Sequence, residues 1–451
     1  MRELLQDAAR RAASFLEELP TRSVEPSRDA IAGLQKLRVP LPEGPLSPEK
    51  VLALLDEIGS PATVATAGPR YFGFVTGGSL PASVAANWLS GAWDQNAAFL
   101  VGSPIAAALE EISLSWIREL LALPSHWGGG FVTGTTMGNF SGLVAARHHV
   151  LSRAGWDVER NGLFGAPEVR VVVGAEVHAS LLKALALLGF GRARVTTLPV
   201  DGQGRMRADA LEKRVLEGPT VVCLQAGNVN TGAFDPIAEI ASRAREAGAW
   251  VHLDGAFGLW AAVSPRTRHF TEGLENVDSI ATDLHKWLNV PYDNGLALYQ
   301  DSNVARAALA MTAAYLPQTD ERTPSDFTPE ASRRARGIDI WAALLSLGRE
   351  GLVDLVDRCC RYARKFAADL EAAGCQILNE VQLNQVLVAF GDDERTKAVI
   401  QAVQRDGTCW CGGTFWQGKA AMRISVSSWA TTEEDVERSV AAIVRVAKSL
   451  R

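Results

Sequence analysis

Apolar positions recur at helical spacing from the start of the chain, at Leu4, Leu5, Ala8, Ala12, Phe15, Leu16 and Leu19, and Pro20 closes the pattern. This predicts an amphipathic helix over 1–19 with little of its own to pack against. A second helix is expected over 48–58, where Ser47 supplies a cap, Pro48 the first turn and Glu49 a favourable charge. Further helices are predicted over 104–123 and, after a glycine-rich loop at 128–138, up to Leu151. From 169 onward the period changes: short apolar runs at 169–173, 195–200, 220–224, 250–253 and 279–281 alternate with helical ones at 178–188, 207–216 and 236–247. Such alternation predicts an α/β fold with a mostly parallel central sheet flanked by helices, its functional loops at the C-terminal ends of the strands. Beyond about 303 the pattern reads as a long helix reaching Tyr315, a polar stretch over 318–329 and a helix over 330–373. Antiparallel-type strands near 376–378, 383–390 and 422–427, interleaved with helices at 394–405 and 432–449, then predict a smaller C-terminal α+β domain. The expected division is an N-terminal helical arm at 1–60, a large domain at 61–310 and a small domain at 311–451.

A length of 451 residues supports two or three folded units, and 47% hydrophobic with 21% charged residues is the composition of an ordinary globular protein. With 45 basic against 51 acidic residues, and no basic cluster to follow a phosphate backbone, nucleic acid is excluded as an expected partner. No uncharged run reaches the roughly 18 residues of a spanning helix, so no membrane partner is expected. The opening residues carry acids and no apolar core before a cleavage site, so the expected compartment is the cytoplasm. Six scattered cysteines, among them Cys359-Cys360 and Cys409-x-Cys411, lack the Cys-x-x-Cys spacing of a zinc site and read as reduced thiols. No metal is expected.

The chemistry concentrates where apolar runs end. The run at 279–281 delivers His285 and Lys286 beside Trp287, and a lysine at a strand end can lose its proton by desolvation and bond to an aldehyde cofactor. Asp254 closes another apolar run, where a carboxylate is costly to bury without a cationic partner such as a protonated pyridine nitrogen. His178 follows the run at 169–173. Thr135 and Thr136 open a helix after the glycines, so their hydroxyls and the free amides there could hold a phosphate. That loop matches neither Gly-x-x-x-x-Gly-Lys-Ser/Thr nor Gly-x-Gly-x-x-Gly. Aromatics and glycines crowd 69–78, as a pocket wall would require, and Arg423 alternates with Met422 and Ile424, which could aim it into a cleft between domains as a carboxylate clamp. Each signal has an ordinary reading too: a helix cap or core histidine for His178, a helix cap for Asp254, a capped turn for the glycine-rich loop, core aromatics for 69–78, a surface arginine for Arg423.

Jointly, His178, Asp254, Ser279, His285 and Lys286 resemble, in order and context, the pyridoxal-phosphate enzymes of the aspartate aminotransferase fold (type I). Within these the chain is most similar to the group II amino-acid decarboxylases, relatives of aromatic-amino-acid and glutamate decarboxylases, through the stretches 69–74, 134–139, 177–180, 231–236, 252–256 and 278–287. The resemblance implies that Lys286 carries the cofactor as a Schiff base, Asp254 pairs with its pyridine nitrogen and His178 stacks on its ring. It also implies that Thr135, Thr136, Ser279 and His285 bind the phosphate, that Ala256 packs against the opposite ring face and that Thr231 approaches the phenolic edge. A homodimer is implied, with the N-terminal arm crossing onto the partner. The expected reaction is decarboxylation of an L-amino acid to the amine and carbon dioxide. Tyr71, Phe72, Phe99, Trp410, Trp416 and Trp429 allow an aromatic or apolar pocket, and Tyr71, Phe72, Phe99, Phe327 and Arg423 are the expected substrate residues. Two positions depart from the family: 323–329 offers Phe327 where decarboxylases commonly place a tyrosine, and Asp283 stands where asparagine is common. Phenylalanine in that role is associated with oxygen-dependent aldehyde formation. The alternatives are therefore an aldehyde-forming oxidative decarboxylase, a carbon–carbon lyase or an aminotransferase on the same fold, and, outside catalysis, an inactive regulatory homologue.

Overall fold

The computed structural model describes residues 1–311, 313 and 321–450. Two compact units emerge: one comprises Met1–Gly78, Tyr362–Leu378 and Val386–Arg451, the other Ser79–Arg361 and Asn379–Gln385.

The larger unit is built on a seven-stranded sheet: β1 Gly128–Val132, β2 Arg170–Gly174, β3 Thr196–Leu198, β4 Thr220–Gln225, β5 Trp250–Asp254, β6 Ser279–Asp283 and β7 Gly295–Tyr299, in the order β1-β7-β6-β5-β4-β2-β3. The pairings from β6 through β5, β4 and β2 to β3 are parallel, while β7 runs antiparallel to both β6 and β1. The mostly parallel α/β sheet anticipated from the alternating runs is therefore present. Valine-rich strands such as β2 and β4 are buried almost throughout, as a sheet covered on both faces requires. The helix Thr135–Arg153 packs across β5, β6 and β7, and its Leu143 and Leu151 join Val171, Val173, Leu185 and Val221 in one fully enclosed core. Each such side chain contributes about 1.5–3 kcal/mol by leaving water.

Three expectations need correction. Residues 128–130 are part of strand β1 and not of a loop; glycine is required there because a Cβ at Gly129 would lie 2.5 Å from the Ala297 carbonyl oxygen. The helix expected at 207–216 is instead two 3₁₀ turns, Ala208–Ala210 and Lys213–Leu216, because the Arg243 guanidinium takes the carbonyls of Ala208 and Leu211 that a helix would use. The helix expected to reach Tyr315 ends at Leu309, where Ala310 turns extended; the remainder of that expectation lies outside the described residues. Strand β7 went unanticipated. The long helix at Arg336–Ala372 carries a break at Gly348, whose φ is 59°.

The other unit contains the helices Arg2–Glu18 and Pro48–Gly59, the latter capped by Ser47 as its sequence signals. A four-stranded sheet of β8 Gln376–Ile377, β9 Gln385–Ala389, β10 Gly412–Trp416 and β11 Lys419–Ser425 is ordered β10-β11-β9-β8, with antiparallel pairing of β10 with β11 and β8 with β9. Helices Asp393–Asp406 and Glu433–Ser449 accompany it.

Asp278 gives the fold a pH signature. Burial pushes its carboxyl up to about 6, against the pull of the Val251 amide and Arg245. A proton held more tightly when folded contributes stability that is full below the ordinary carboxylate range and is lost as pH rises through about 6. A neutral side-chain amide at this position would still accept from the Val251 N–H, so Asp278→Asn should melt at a temperature that declines less between about pH 4 and pH 7 than the native chain does. Calorimetry across that range checks this; identical slopes would refute it.

Candidate active site

The C-terminal ends of the parallel strands gather the polar residues. After β2, His178 caps the helix Ala179–Leu187, its Nδ1 2.7 Å from the Ser180 hydroxyl. With Asp254 at the end of β5 it lines one cavity, together with Gly174, Cys223 and Gln225. Asp254 is buried; burial pushes its carboxyl up, while His178, the amide of Asn139, Lys286 and the Ala256 N–H pull it back toward the charged form. Asn139 Nδ2 donates to Asp254 Oδ2 at 2.9 Å and Ala256 N to Oδ1 at 3.2 Å. An anion held by neutral donors in an enclosed site is poised for a cation.

The end of β6 forms the second half. Asp283 Oδ2 lies 2.8 Å from Lys286 Nζ, and Oδ1 accepts from the Thr135 amide at 2.6 Å and faces His285 Nε2 at 3.4 Å. The Asn294 amide donates to His285 Nδ1, so the ring proton sits on Nε2, toward Asp283. Burial raises the Asp283 carboxyl, but Lys286, His285 and the Thr135 amide more than offset this and hold it below the ordinary range. Burial lowers His285, against the pull of Asp283. The backbone joins the two halves, since Asp283 N donates to the Ala256 carbonyl and Ala256 N reaches Asp254. The walls are tight: a Cβ at Gly134 would lie 3.1 Å from Asp283 Oδ1, and one at Gly295 only 2.4 Å from the Gly134 Cα.

Lys286, His285, Asp283 and Thr135 thus meet at one end of the sheet, with Ala256, Asp254 and His178 beside them. Thr136 is exposed at the same helix start. Thr231 is buried in the turn after β4, its hydroxyl donating to the Gln203 carbonyl at 2.7 Å and accepting from the Ala233 amide. Ser279 sits at the opposite end of β6, where its hydroxyl is 2.8 Å from His252 Nδ1 and accepts from Trp250; this commitment, four residues up the strand from Asp283, corrects the expected phosphate contact. Phe327 is also misplaced by the sequence reading. It is buried in the core, its carbonyl accepting from the Tyr299 hydroxyl at 3.0 Å, and Tyr299 pairs with Ser279 and Gly128, the sheet end away from Lys286. Phe99 is half-buried in the turn before the helix Pro104–Leu120, its carbonyl accepting from Gly102 and Ser103.

In the other unit, Tyr71 stacks on Trp410 with ring centroids 5.0 Å apart, and Phe74, 61% exposed, tilts against Trp410 at 5.5 Å. Phe72 is sealed in the core, edge-on to Phe366, so it cannot serve as a ligand surface. Arg423 is half-buried; burial lowers it and Tyr71 opposes that shift.

Sequence reasoning missed Asn139 and His252. The signal was present, because His252 and Asp254 are two apart on one strand and share a face, while Thr135 and Asn139 are one helical turn apart.

A partly buried lysine just past the end of β6, paired with Asp283 near a helix start, on a sheet of this topology, is what the pyridoxal-phosphate-dependent transferase fold presents. The chain belongs to the pyridoxal-dependent decarboxylase family: residues 35–391 match the pyridoxal-dependent decarboxylase conserved domain. It is 24% identical to an aromatic-L-amino-acid decarboxylase of Bacillus atrophaeus, over 96% of this chain and 93% of that one. It is 31% identical to an L-2,4-diaminobutyrate decarboxylase of Rhizobium meliloti, over 79% of this chain and 72% of that one. The fold superposes on a crystal structure of Oryza sativa TDC with PLP and tryptamine at a TM-score of 0.92, 22% identity, covering 99% of this chain and 97% of that one. The chain is thus a pyridoxal-phosphate-dependent enzyme of the amino-acid decarboxylase family. Among the described residues no helix is long and apolar enough to cross a membrane, and no cluster of His, Cys, Asp or Glu could hold a metal ion.

The residues fit pyridoxal phosphate on local grounds. Thr135 Oγ1 is buried with no hydrogen-bond partner at the start of the Thr135–Arg153 helix, which is where a phosphate oxygen would satisfy it. Asp254 offers a buried anion, and Lys286 an amine.

Proposed function

We propose that the chain releases the α-carboxylate of an L-amino acid with an aromatic or apolar side chain as carbon dioxide, leaving the amine. The observation that carries this is the convergence of Lys286, Asp254 and His178 around strand ends that also present the unsatisfied Thr135 hydroxyl. Pyridoxal phosphate, when bound, supplies an electron-withdrawing ring that lets carbon dioxide leave from the substrate α-carbon. In this reading Lys286 would hold the cofactor through its Nζ amine and would move protons at that atom. Asp254 would pair with the ring nitrogen and keep it protonated, His178 and Ala256 would hold the ring, and Thr135, Thr136 and His285 would hold the phosphate. The relative from Bacillus atrophaeus, covering 96% of this chain, is itself an aromatic-L-amino-acid decarboxylase.

The test is an amino-acid panel scored together for carbon dioxide, amine, aldehyde and peroxide. Stoichiometric carbon dioxide and amine from an aromatic substrate is the expected result; amino-group transfer without carbon dioxide would overturn it. Borohydride should fix the cofactor to the peptide bearing Lys286, and labelling elsewhere would sink the lysine's role.

The proposed unit is a homodimer working in the cytoplasm. The helix Pro81–Trp93 exposes Trp88, Leu89 and Trp93, and the helix Pro48–Gly59 exposes Val51, Leu54 and Leu55, apolar surface that a second copy would cover. All six cysteines are free. Sedimentation at working concentration should give a dimer; a fully active monomer would remove this reading.

A further inference from the structure

Behind Asp254 runs an unbroken line of buried polar side chains. Trp250 Nε1 lies 2.9 Å from Ser279 Oγ, Ser279 Oγ 2.8 Å from His252 Nδ1, His252 Nε2 3.0 Å from Asn139 Oδ1, and Asn139 Nδ2 2.9 Å from Asp254 Oδ2. None of the five is more than 4% exposed. Its two ends fix the direction of every proton. An indole N–H can only donate, so Ser279 accepts there and turns its own proton toward His252 Nδ1. An ionised carboxylate can only accept, so Asn139 must present its NH₂ to Asp254 and its carbonyl oxygen to His252. Both constraints demand the same imidazole, protonated at Nε2 alone. Burial supplies it, pushing His252 down to about 3 and leaving the ring neutral. Gly142 makes room for that ring, since a Cβ there would come within 2.6 Å of His252 Cε1.

A cation in place of Asn139 would spend the charge of Asp254. A neutral amide orients the carboxylate and leaves the charge available. We propose that Asn139 and His252 are positioning residues, and that the line from Trp250 through Ser279, His252 and Asn139 sets the orientation of Asp254 and keeps its negative charge for the ring nitrogen of pyridoxal phosphate. The proposal rests on the assignment of Asp254 to that nitrogen.

The experiment is titration of the cofactor-free protein with pyridoxal phosphate, followed by absorbance and tryptophan fluorescence across pH, with folding checked by circular dichroism melts. Asn139→Ala, and His252→Phe, which keeps a ring but no donor, should each bind the cofactor about tenfold more weakly. His252→Gln, whose amide nitrogen can still donate to Asn139, should stay within about threefold of the native chain. Losing the Asn139 donor also lets Asp254 take up a proton more readily, so the pH below which affinity falls should move upward in Asn139→Ala. A purely structural role would produce neither the rescue nor the shift. Native affinity and an unmoved acid limb in folded Asn139→Ala and His252→Phe would overturn the proposal, as would a loss in His252→Gln equal to that in His252→Phe. Should His252→Phe not fold, Gly142→Ala displaces the same ring without deleting a polar group and is expected to weaken binding likewise, with unchanged affinity counting against the line. Asp254→Asn separates the two levels: native affinity there refutes the assignment of Asp254 itself, whereas its loss beside unaffected Asn139 and His252 variants refutes the line alone.

Discussion

Lys286→Ala should lower turnover by on the order of 10³-fold or more, the largest effect expected of any single substitution in this chain. Alanine leaves no amine at the end of β6 to bond the cofactor aldehyde, to exchange with the substrate amine or to carry a proton. The fold should survive. Lys286 Nζ has Asp283 Oδ2 at 2.8 Å, and after truncation that carboxylate still accepts from the Thr135 amide and still faces His285. Steady-state kinetics, with borohydride labelling and peptide mass spectrometry, checks both halves. A folded variant within tenfold of native turnover would show that the chemistry lies elsewhere.

Asp254→Ala comes next, with an expected loss of about 10²-fold or more in turnover and weaker retention of the cofactor, because removing one essential electrostatic partner in a closed site costs that much. The stability effect should have the opposite trend. Burial raises the Asp254 carboxyl above its ordinary value, so the proton is bound more tightly in the folded state. Stability from this group is therefore full below the ordinary carboxylate range and is lost as pH rises through the elevated value. The cofactor-free alanine variant escapes that loss, so its stability relative to the native chain should improve as pH rises. Melting temperatures of the cofactor-free proteins over a pH series measure this. Near-native turnover in a cofactor-loaded variant would reduce Asp254 to a local backbone acceptor.

Much of this organisation was legible because the responsible forces are local. The valine-rich runs around Val171 and Val221 announced a doubly covered sheet, and strand-end polar residues such as Asp254 and Lys286 have little reason to follow such runs unless a ligand meets them. Elsewhere the deciding contact lay far off in sequence. Nothing near Gly129 reveals that Ala297 will press against it, and three glycines read as loop when such an approach is hidden. Arg243 diverts the carbonyls of 207–216 from a distance of about thirty residues, which no periodicity can show. Ser279 and Phe327 failed differently: a residue type was matched to a role, but the register of β6, β7 and β1 puts both at the sheet end away from Lys286. The alternation of His252 with Asp254 was readable, and only its consequence needed the helix that brings Asn139 across.

The contact between Gly134 and Gly295 sets a boundary for anyone redesigning this enzyme. With only 2.4 Å between a Cβ at Gly295 and the Cα of Gly134, the helix start and the entry to β7 behave as one die, and no side chain fits at Gly295 unless the Gly134 backbone moves. A directed-evolution library aimed at a different cofactor ester should therefore hold both glycines fixed and vary the exposed Thr136 instead. Sequences recovered from such a library should retain Gly134 and Gly295 together even where their neighbours have changed, which makes the pair a practical marker of an intact junction between that helix and β7.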